Sequence, residues 1–270
     1  MTMHHQIPVT LTIAGSDNSA GAGIQADLKT FSALGCYGLT TLTCVVAEVP
    51  GRVARIQAVE EEVVREQIRL SLETFPVRAI KTGMLYSSCL VRAVVEELEV
   101  TFAHLESQPF LVVDPVMMAS SGDLLLAGGA IHEYRERLLP LASLITPNLD
   151  ELRLLTGEEI HDLETLRRAG RKLSEEYGCA VLAKGGHLKG DTAIDILVEK
   201  GETHEFTAAF LSGVDTHGTG CSLSSAITAG LASGLSMADA VKNAKRYVTG
   251  AIYQHYTWGA IHALNHFPTL

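Results

Sequence analysis

VDTHGTGCSLSSAI, Val214 to Ile227, is the stretch on which the reading of this chain turns. Two glycines, Gly218 and Gly220, lead straight into small and apolar residues that read as a helix. Glycine lets the backbone turn tightly, with N–H groups aimed inward and no side chain in the way. The N-terminus of the helix that follows adds amide donors without intrahelical acceptors and a partial positive charge. Together they predict an anion hole suited to a phosphoryl group. Cys221 stands at its mouth, where a proton acceptor has a use. At a helix N-terminus its pKa is expected to fall and its thiolate to become accessible. The ordinary fate of an unpaired cysteine, a small buried residue, is the competing reading.

Upstream, apolar runs alternate with helix-period segments. Val9–Ala14, Leu39–Val46, Ala79–Lys81, Phe110–Val113, Leu144–Ile145 and Ala180–Ala183 read as buried strands. Val64, Ile68, Leu72 and Phe75 fall on one helical face. Leu163, Leu166 and Leu173 do the same before Tyr177, with Gly178 as the stop, and Gly35 ends a helix from Ile24 to Leu34. Asp195–Val198 and His204–Thr207, joined by EKGE, read as a hairpin, and the chain is helical from Ser222 to Tyr256. No linker or repeat interrupts the pattern, which predicts one α/β domain over residues 1–270, a mostly parallel sheet with helices on both faces.

Composition narrows the partners. The net charge is −10, which disfavours a nucleic-acid partner. The chain is rather apolar, with mean hydropathy +0.19. Its longest uncharged run, Ser222 to Ala238, is rich in Ser, Gly and Thr and reads as a buried helix, a turn and the start of another helix rather than a membrane span. MTMHHQIP has neither the basic start nor the long apolar core of a signal peptide. Five cysteines without a CxxC pair point to reduced thiols in a cytoplasm.

In open α/β sheets ligands gather beyond the carboxyl ends of the strands. Gly15–Asp17, Glu48, Thr82–Met84, Asp114, Asn148–Glu151 and Lys184–Gly186 all fall there. GSDNSAGAGIQAD admits three readings: a dinucleotide fingerprint through Gly21, Gly23 and Ala26, helix–sheet packing, or a glycine-rich wall for a flat substrate. The last is favoured, because an anion hole at 213–221 needs a partner pocket. Asp114 either caps a turn before Pro115 or holds a metal through water. Asn148 and Glu151, in TPNLDE, have capping-box spacing, and Glu151 is also placed to share a hydrated Mg²⁺ with Asp114. Lys184 closes AVLAK before two glycines that keep its surroundings open for phosphate oxygens. Met84 reads as core, or as a strand-end residue stacked on an aromatic ring. His187 reads as a loop histidine.

GSDNSAGAGIQADLKTFSALG, KTGML, DPVMMASSGD, ITPNLDE, KGGH and DTHGTGCSLSSA, in this order, resemble the hydroxymethylpyrimidine/phosphomethylpyrimidine kinases of thiamine synthesis, members of the ribokinase-like superfamily. The resemblance runs from Leu11 to Phe267. It implies a three-layer α/β sandwich, usually a homodimer, that uses ATP and Mg²⁺. It places Gly218, Gly220 and the Cys221 amide in the anion hole, with Lys184 on the phosphates. It assigns Asn148 and Thr216 to the nucleotide and Asp114 and Glu151 to Mg²⁺. The family's pyrimidine contacts fall on Ala22, Val46, Met84 and Val116. Many superfamily members have an aspartate base where this chain has Cys221, which implies a base or a positioning group there.

The implied reaction is phosphorylation of 4-amino-5-hydroxymethyl-2-methylpyrimidine and then of its monophosphate. Two departures bear on it. The family usually has glutamine at Glu48, and an amide both donates and accepts where an ionised glutamate only accepts. Glu48 can pair with a ring amine and a protonated ring nitrogen, or the preferred ring differs. Pyridoxal and pyridoxine kinases of the same branch keep that alternative open, as do enzymes that take both rings. Ala20 stands where glycine is frequent.

Overall fold

The computed structural model describes residues 7–117, 129–186, 188, 192–211 and 217–269. Strand β1 (Val9–Asp17) enters a glycine loop and helix α1 (Gly23–Ala33). Strands β2 (Tyr37–Val49) and β3 (Arg52–Ala58) are followed by α2 (Glu61–Thr74), β4 (Val77–Thr82), α3 (Ser88–Phe102) and β5 (Phe110–Val113). The short α4 (Ala130–Glu133), β6 (Leu144–Ile145), α5 (Leu149–Thr156), α6 (Leu163–Tyr177) and β7 (Ala180–Lys184) come next. The hairpin β8 (Thr192–Glu199) and β9 (Glu202–Ala209) precedes α7 (Thr219–Ala232) and α8 (Met237–Tyr253). A small hairpin, β10 (Tyr256–Trp258) and β11 (Ile261–Ala263), follows them.

Among the described residues the main sheet has nine strands in the order β3-β2-β1-β4-β5-β6-β7-β8-β9. Its middle is parallel, and β3 and the β8–β9 pair are antiparallel additions at the edges. Alternating strand residues serve opposite faces. Ile80 and Leu111 pack with Val64, Ile68, Val91 and Leu166 from α2, α3 and α6. Ala79 and Val112 face the other way, toward Ile227 of α7 and Val241 of α8. The predicted three-layer sandwich is therefore the observed one. Lys200 and Gly201, both at positive φ between Glu199 and Glu202, make the tight turn that matches strand twist in a two-residue hairpin.

Two sequence expectations need correction, and one strand went unmarked. Phe75 is 38% exposed: it leaves the helical face at the C-cap of α2 and stacks on Tyr37. The final helix stops at Tyr253, and Tyr256 begins the β10–β11 hairpin, which turns at Gly259 with φ +61°. Strand β3 had no sequence signal because most of its residues are exposed, so no apolar period marks it.

Candidate active site

Parallel register brings the strand ends into line. Ile13 pairs with Thr82, Thr82 with Val113, and Val113 with Ile145. An isolated bridge then ties Asn148 to Lys184. Two adjoining cavities open above this edge, of about 660 and 530 Å³. They share four lining residues, Asn148, Lys184, Thr219 and Gly220. The wall between them is thus the first turn of α7 and one lysine.

That first turn is built as the sequence predicts. Gly218 is the N-cap at φ +81° and carries no side chain to cap with. A Cβ there would lie 1.8 Å from the Gly21 carbonyl oxygen, so the two glycine loops touch and only glycine fits. A Cβ on Gly220 would lie 3.4 Å from Lys184 Nζ and 3.9 Å from Asp114 Oδ2. The amides of Gly220 and Cys221 belong to the turn that a helix leaves without intrahelical acceptors, and both residues line the larger cavity. Thr216 and His187 lie outside the described residues.

Asp114, at the end of β5, is buried and heavily bonded. Its Oδ1 accepts from Lys184 Nζ at 3.1 Å and from Thr146 Oγ1 at 3.2 Å, and its Oδ2 accepts from Ser224 Oγ at 3.1 Å. Burial alone would raise its pKa, but the Lys184 and Lys81 charges and these donors hold it below the ordinary carboxylate value. Burial likewise works against the Lys184 charge, and the Asp114 and Glu151 carboxylates reverse it, so the ammonium stays charged.

Both readings of Asn148 and Glu151 hold at once. Asn148 Oδ1 accepts from the Asp150 and Glu151 amides, and Glu151 Oε2 accepts from the Asn148 amide at 2.8 Å, a complete capping box. Glu151 also lines the larger cavity beside Asp114. Burial, reinforced by the Asp114 charge against the pull of Lys184, pushes its carboxyl up to about 7. Two carboxylates at the mouth of an anion hole, one of them short of positive charge, suit a hydrated divalent cation such as Mg²⁺.

The raised pKa has a measurable sign. Between the ordinary value of 4.5 and about 7 the folded state holds a proton that the unfolded chain has lost, so this group's contribution to stability declines as pH rises through that window. Glu151→Gln is therefore expected to melt a few degrees above the unsubstituted protein at pH 8 without metal, the difference shrinking toward pH 5. Thermal denaturation at the two pH values checks this.

The wall opposite α7 is the glycine loop. Asp17 folds it around itself: its carboxylate accepts from the amides of Ser19 (2.7 Å), Gly21 (3.0 Å) and Ala22 (2.8 Å). His217 Nε2 lies 3.4 Å from the same carboxylate. Burial opposes the Asp17 charge, but His217 and these donors hold the carboxyl far below its usual range. This sets aside the dinucleotide reading of GSDNSAGAGIQAD, because amides already aimed at the chain's own aspartate are not offered to a dinucleotide pyrophosphate. Ala20 sits at φ +60°, the left-handed region that favours glycine, which explains the glycine preference noted above.

Ala22, Val46, Met84 and Val116 line the larger cavity, as does Glu48. The sequence placed Asp17 at a ligand-bearing strand end without giving it a role, and it did not mark His217. Asp17 lay in the quoted loop, but its role needs the loop's folded shape.

Cys221 requires a correction. It lines the cavity, but burial pushes its thiol up to about 11, the nearby Lys81 charge lowering it only in part. Desolvation of the thiolate outweighs the helix N-terminus, so the thiol is protonated at neutral pH.

A mostly parallel sheet whose strand ends carry two cavities parted by a helix N-terminus and a lysine is the site of a ribokinase-like phosphotransferase. A model of the phosphomethylpyrimidine kinase family matches residues 17–266. The hydroxymethylpyrimidine/phosphomethylpyrimidine kinase of Streptomyces coelicolor is 46% identical over 252 residues, 93% of this chain and 91% of that one. A crystal structure of phosphomethylpyrimidine kinase from Clostridium difficile 630 superimposes with TM-score 0.79 at 41% identity, over 90% of this chain and 99% of that one. The ADP complex of Bacillus subtilis pyridoxal kinase gives TM-score 0.87 at 33% identity, over 96% and 97%. The chain belongs to the phosphomethylpyrimidine kinase family.

Proposed function

We propose that this kinase transfers the γ-phosphate of ATP to the hydroxymethyl group of 4-amino-5-hydroxymethyl-2-methylpyrimidine and then to the phosphate of the product, supplying the pyrimidine half of thiamine. The observation that carries this is the shared wall: an anion hole and a lysine between one cavity for a nucleotide and another for a flat ring. The adenosine occupies the cavity lined by Leu223, Val248 and Ile252. The ring lies among Ala22, Val46, Met84 and Val116. Asn148 joins the nucleotide side, as does Thr216 on the resemblance noted from sequence.

Phosphoryl transfer needs little covalent help; positioning and charge neutralisation dominate. The amides of Gly220 and Cys221 and the Lys184 ammonium hold the phosphoryl oxygens between the cavities. Asp114 and Glu151 would hold Mg²⁺, which would neutralise charge on the phosphates. Cys221 stands beside the attacking hydroxyl, to receive its proton once the thiol has lost its own.

Glu48 explains how a carboxyl replaces the family's glutamine. Burial and the Asp17 charge raise its pKa, with His217 opposing. The shift favours the neutral acid, which offers one O–H donor and one carbonyl acceptor, the same pair as a glutamine amide, where the ionised form only accepts. The KM for the pyrimidine is therefore expected to rise several-fold as pH rises through the titration of this carboxyl in the unsubstituted protein and to stay flat in Glu48→Gln, as steady-state kinetics across pH shows. The likeness to a pyridoxal kinase supports a second reading, phosphorylation of pyridoxal or pyridoxine, alone or alongside the pyrimidine. Competition between the pyrimidine and pyridoxal on both variants separates the two, and preference for pyridoxal with no pyrimidine turnover overturns the first.

The same proposal includes a homodimer in the cytoplasm. Val45, Val49 and Val53 are exposed on the β2–β3 edge and suit burial against a second copy. All five cysteines are free, as suits a reducing compartment.

A further inference from the structure

The lysine of KTGML and the aspartate of GIQAD have no part in the mechanism above, yet they form a fully buried ion pair directly under it. Lys81 Nζ donates to Asp27 Oδ1 at 2.9 Å and to Oδ2 at 2.8 Å, both side chains wholly buried. Asp27 also accepts from Thr12 Oγ1 and from Ser225 Oγ, each at 2.6 Å. Ser225 is one helical turn beyond Cys221 on α7, so it shares the face that carries the thiol. The pair therefore joins α1, β1, β4 and α7 beneath the anion hole. A buried ion pair is weak evidence of stabilisation, since desolvation offsets much of its attraction.

We propose that Lys81 and Asp27 are positioning residues whose paired charges form a seat beneath Cys221, with the Lys81 ammonium as counter-ion of the thiolate and Asp27 fixing that ammonium in place. The inference rests on the reading of Cys221 as the group that receives the alcohol proton. The thiol proton first leaves to water. The alcohol proton then passes to the sulfur as the new O–P bond forms and the bond from phosphorus to the ADP oxygen breaks. The charged groups that act on the sulfur are Lys81 from β4, Asp27 from α1, Asp114 from the end of β5 and Lys184 from the end of β7; the Gly23 amide donates to it. Of the charges, Lys81 acts most strongly and lowers the thiol's proton affinity, while both carboxylates raise it.

The two charges work in opposite directions, which gives the test. Iodoacetamide alkylation of Cys221 is followed across pH by mass spectrometry of its peptide in the full-length protein, in Lys81→Met, in Asp27→Asn and in the double variant. At pH 8 the rate is expected to fall about tenfold in Lys81→Met and to rise about tenfold in Asp27→Asn, one pKa unit each way. It is expected to fall in the double variant, which leaves no buried charge unpaired. A purely structural pair would move both single variants the same way or not at all, and that result in folded proteins overturns the proposal. If the single variants do not fold, the double variant decides, and alkylation unchanged or faster there overturns it equally. Alkylation reports the seat without any turnover. Loss of the base role would show separately, as unchanged turnover in Cys221→Ala.

Discussion

Gly220→Asp is expected to lower kcat by about 1,000-fold or more, with a melting curve close to that of the unsubstituted protein. Position 220 faces the wall between the two cavities, and a Cβ there would lie 3.4 Å from Lys184 Nζ and 3.9 Å from Asp114 Oδ2. A carboxylate at this point pairs with Lys184 in place of the phosphoryl oxygens and sets a second negative charge beside Asp114. Removing one donor from an oxyanion site typically costs 100- to 1,000-fold; here the amide site and the lysine are lost together. Gly220→Ala is the control, since its methyl group meets the lysine at the edge of ordinary contact and adds no charge. Steady-state kinetics with the pyrimidine alcohol and ATP, with circular dichroism for folding, reads both. Near-normal turnover in Gly220→Asp would remove the phosphoryl from this wall.

Cys221→Ala is expected to lower kcat about 100-fold, at the lower end of what a positioned proton acceptor contributes, with little change in the KM for ATP. The thiol is protonated in the free protein, its pKa lifted to about 11 by burial. The loss should therefore be recovered in part by Cys221→Asp, which restores an ionisable acceptor at the same place. Turnover unchanged in the alanine variant removes the proton role and leaves the anion hole standing, because the hole is made of backbone amides.

Much of this site was legible before any fold was known. Gly218 and Gly220 ahead of a run of small residues signalled an anion hole, since both the turn and the amide donors are local backbone properties. TPNLDE signalled a capping box for the same reason, and the box is present at Asn148 and Glu151. What that spacing left open was whether Glu151 also faces a ligand, which depends on where Asp114 comes from 37 positions earlier. The first glycine loop was ambiguous for a related reason. Its composition fits a dinucleotide fingerprint, and only the fold shows its amides turned onto Asp17.

Cys221 shows how local chemistry misleads. A helix N-terminus lowers a thiol's pKa, and α7 does begin at Thr219. The opposing influence is desolvation by the elements packed around it, which no local pattern reveals. Strand β3 and the β10–β11 hairpin escaped notice because their residues are mostly exposed, and an exposed strand has no apolar period to read.

Residue order alone was enough for the α/β alternation, the residues that gather at the strand ends, the glycine turn that opens α7 and the family. Each of these is written in apolar period, turn residues or motifs a few positions long. It took the packed fold to bring Lys81 onto Asp27, to raise the Cys221 thiol by burial and to turn the glycine loop's amides onto Asp17. Those outcomes depend on burial and on charges brought together from distant segments, and both arise only when the strands align.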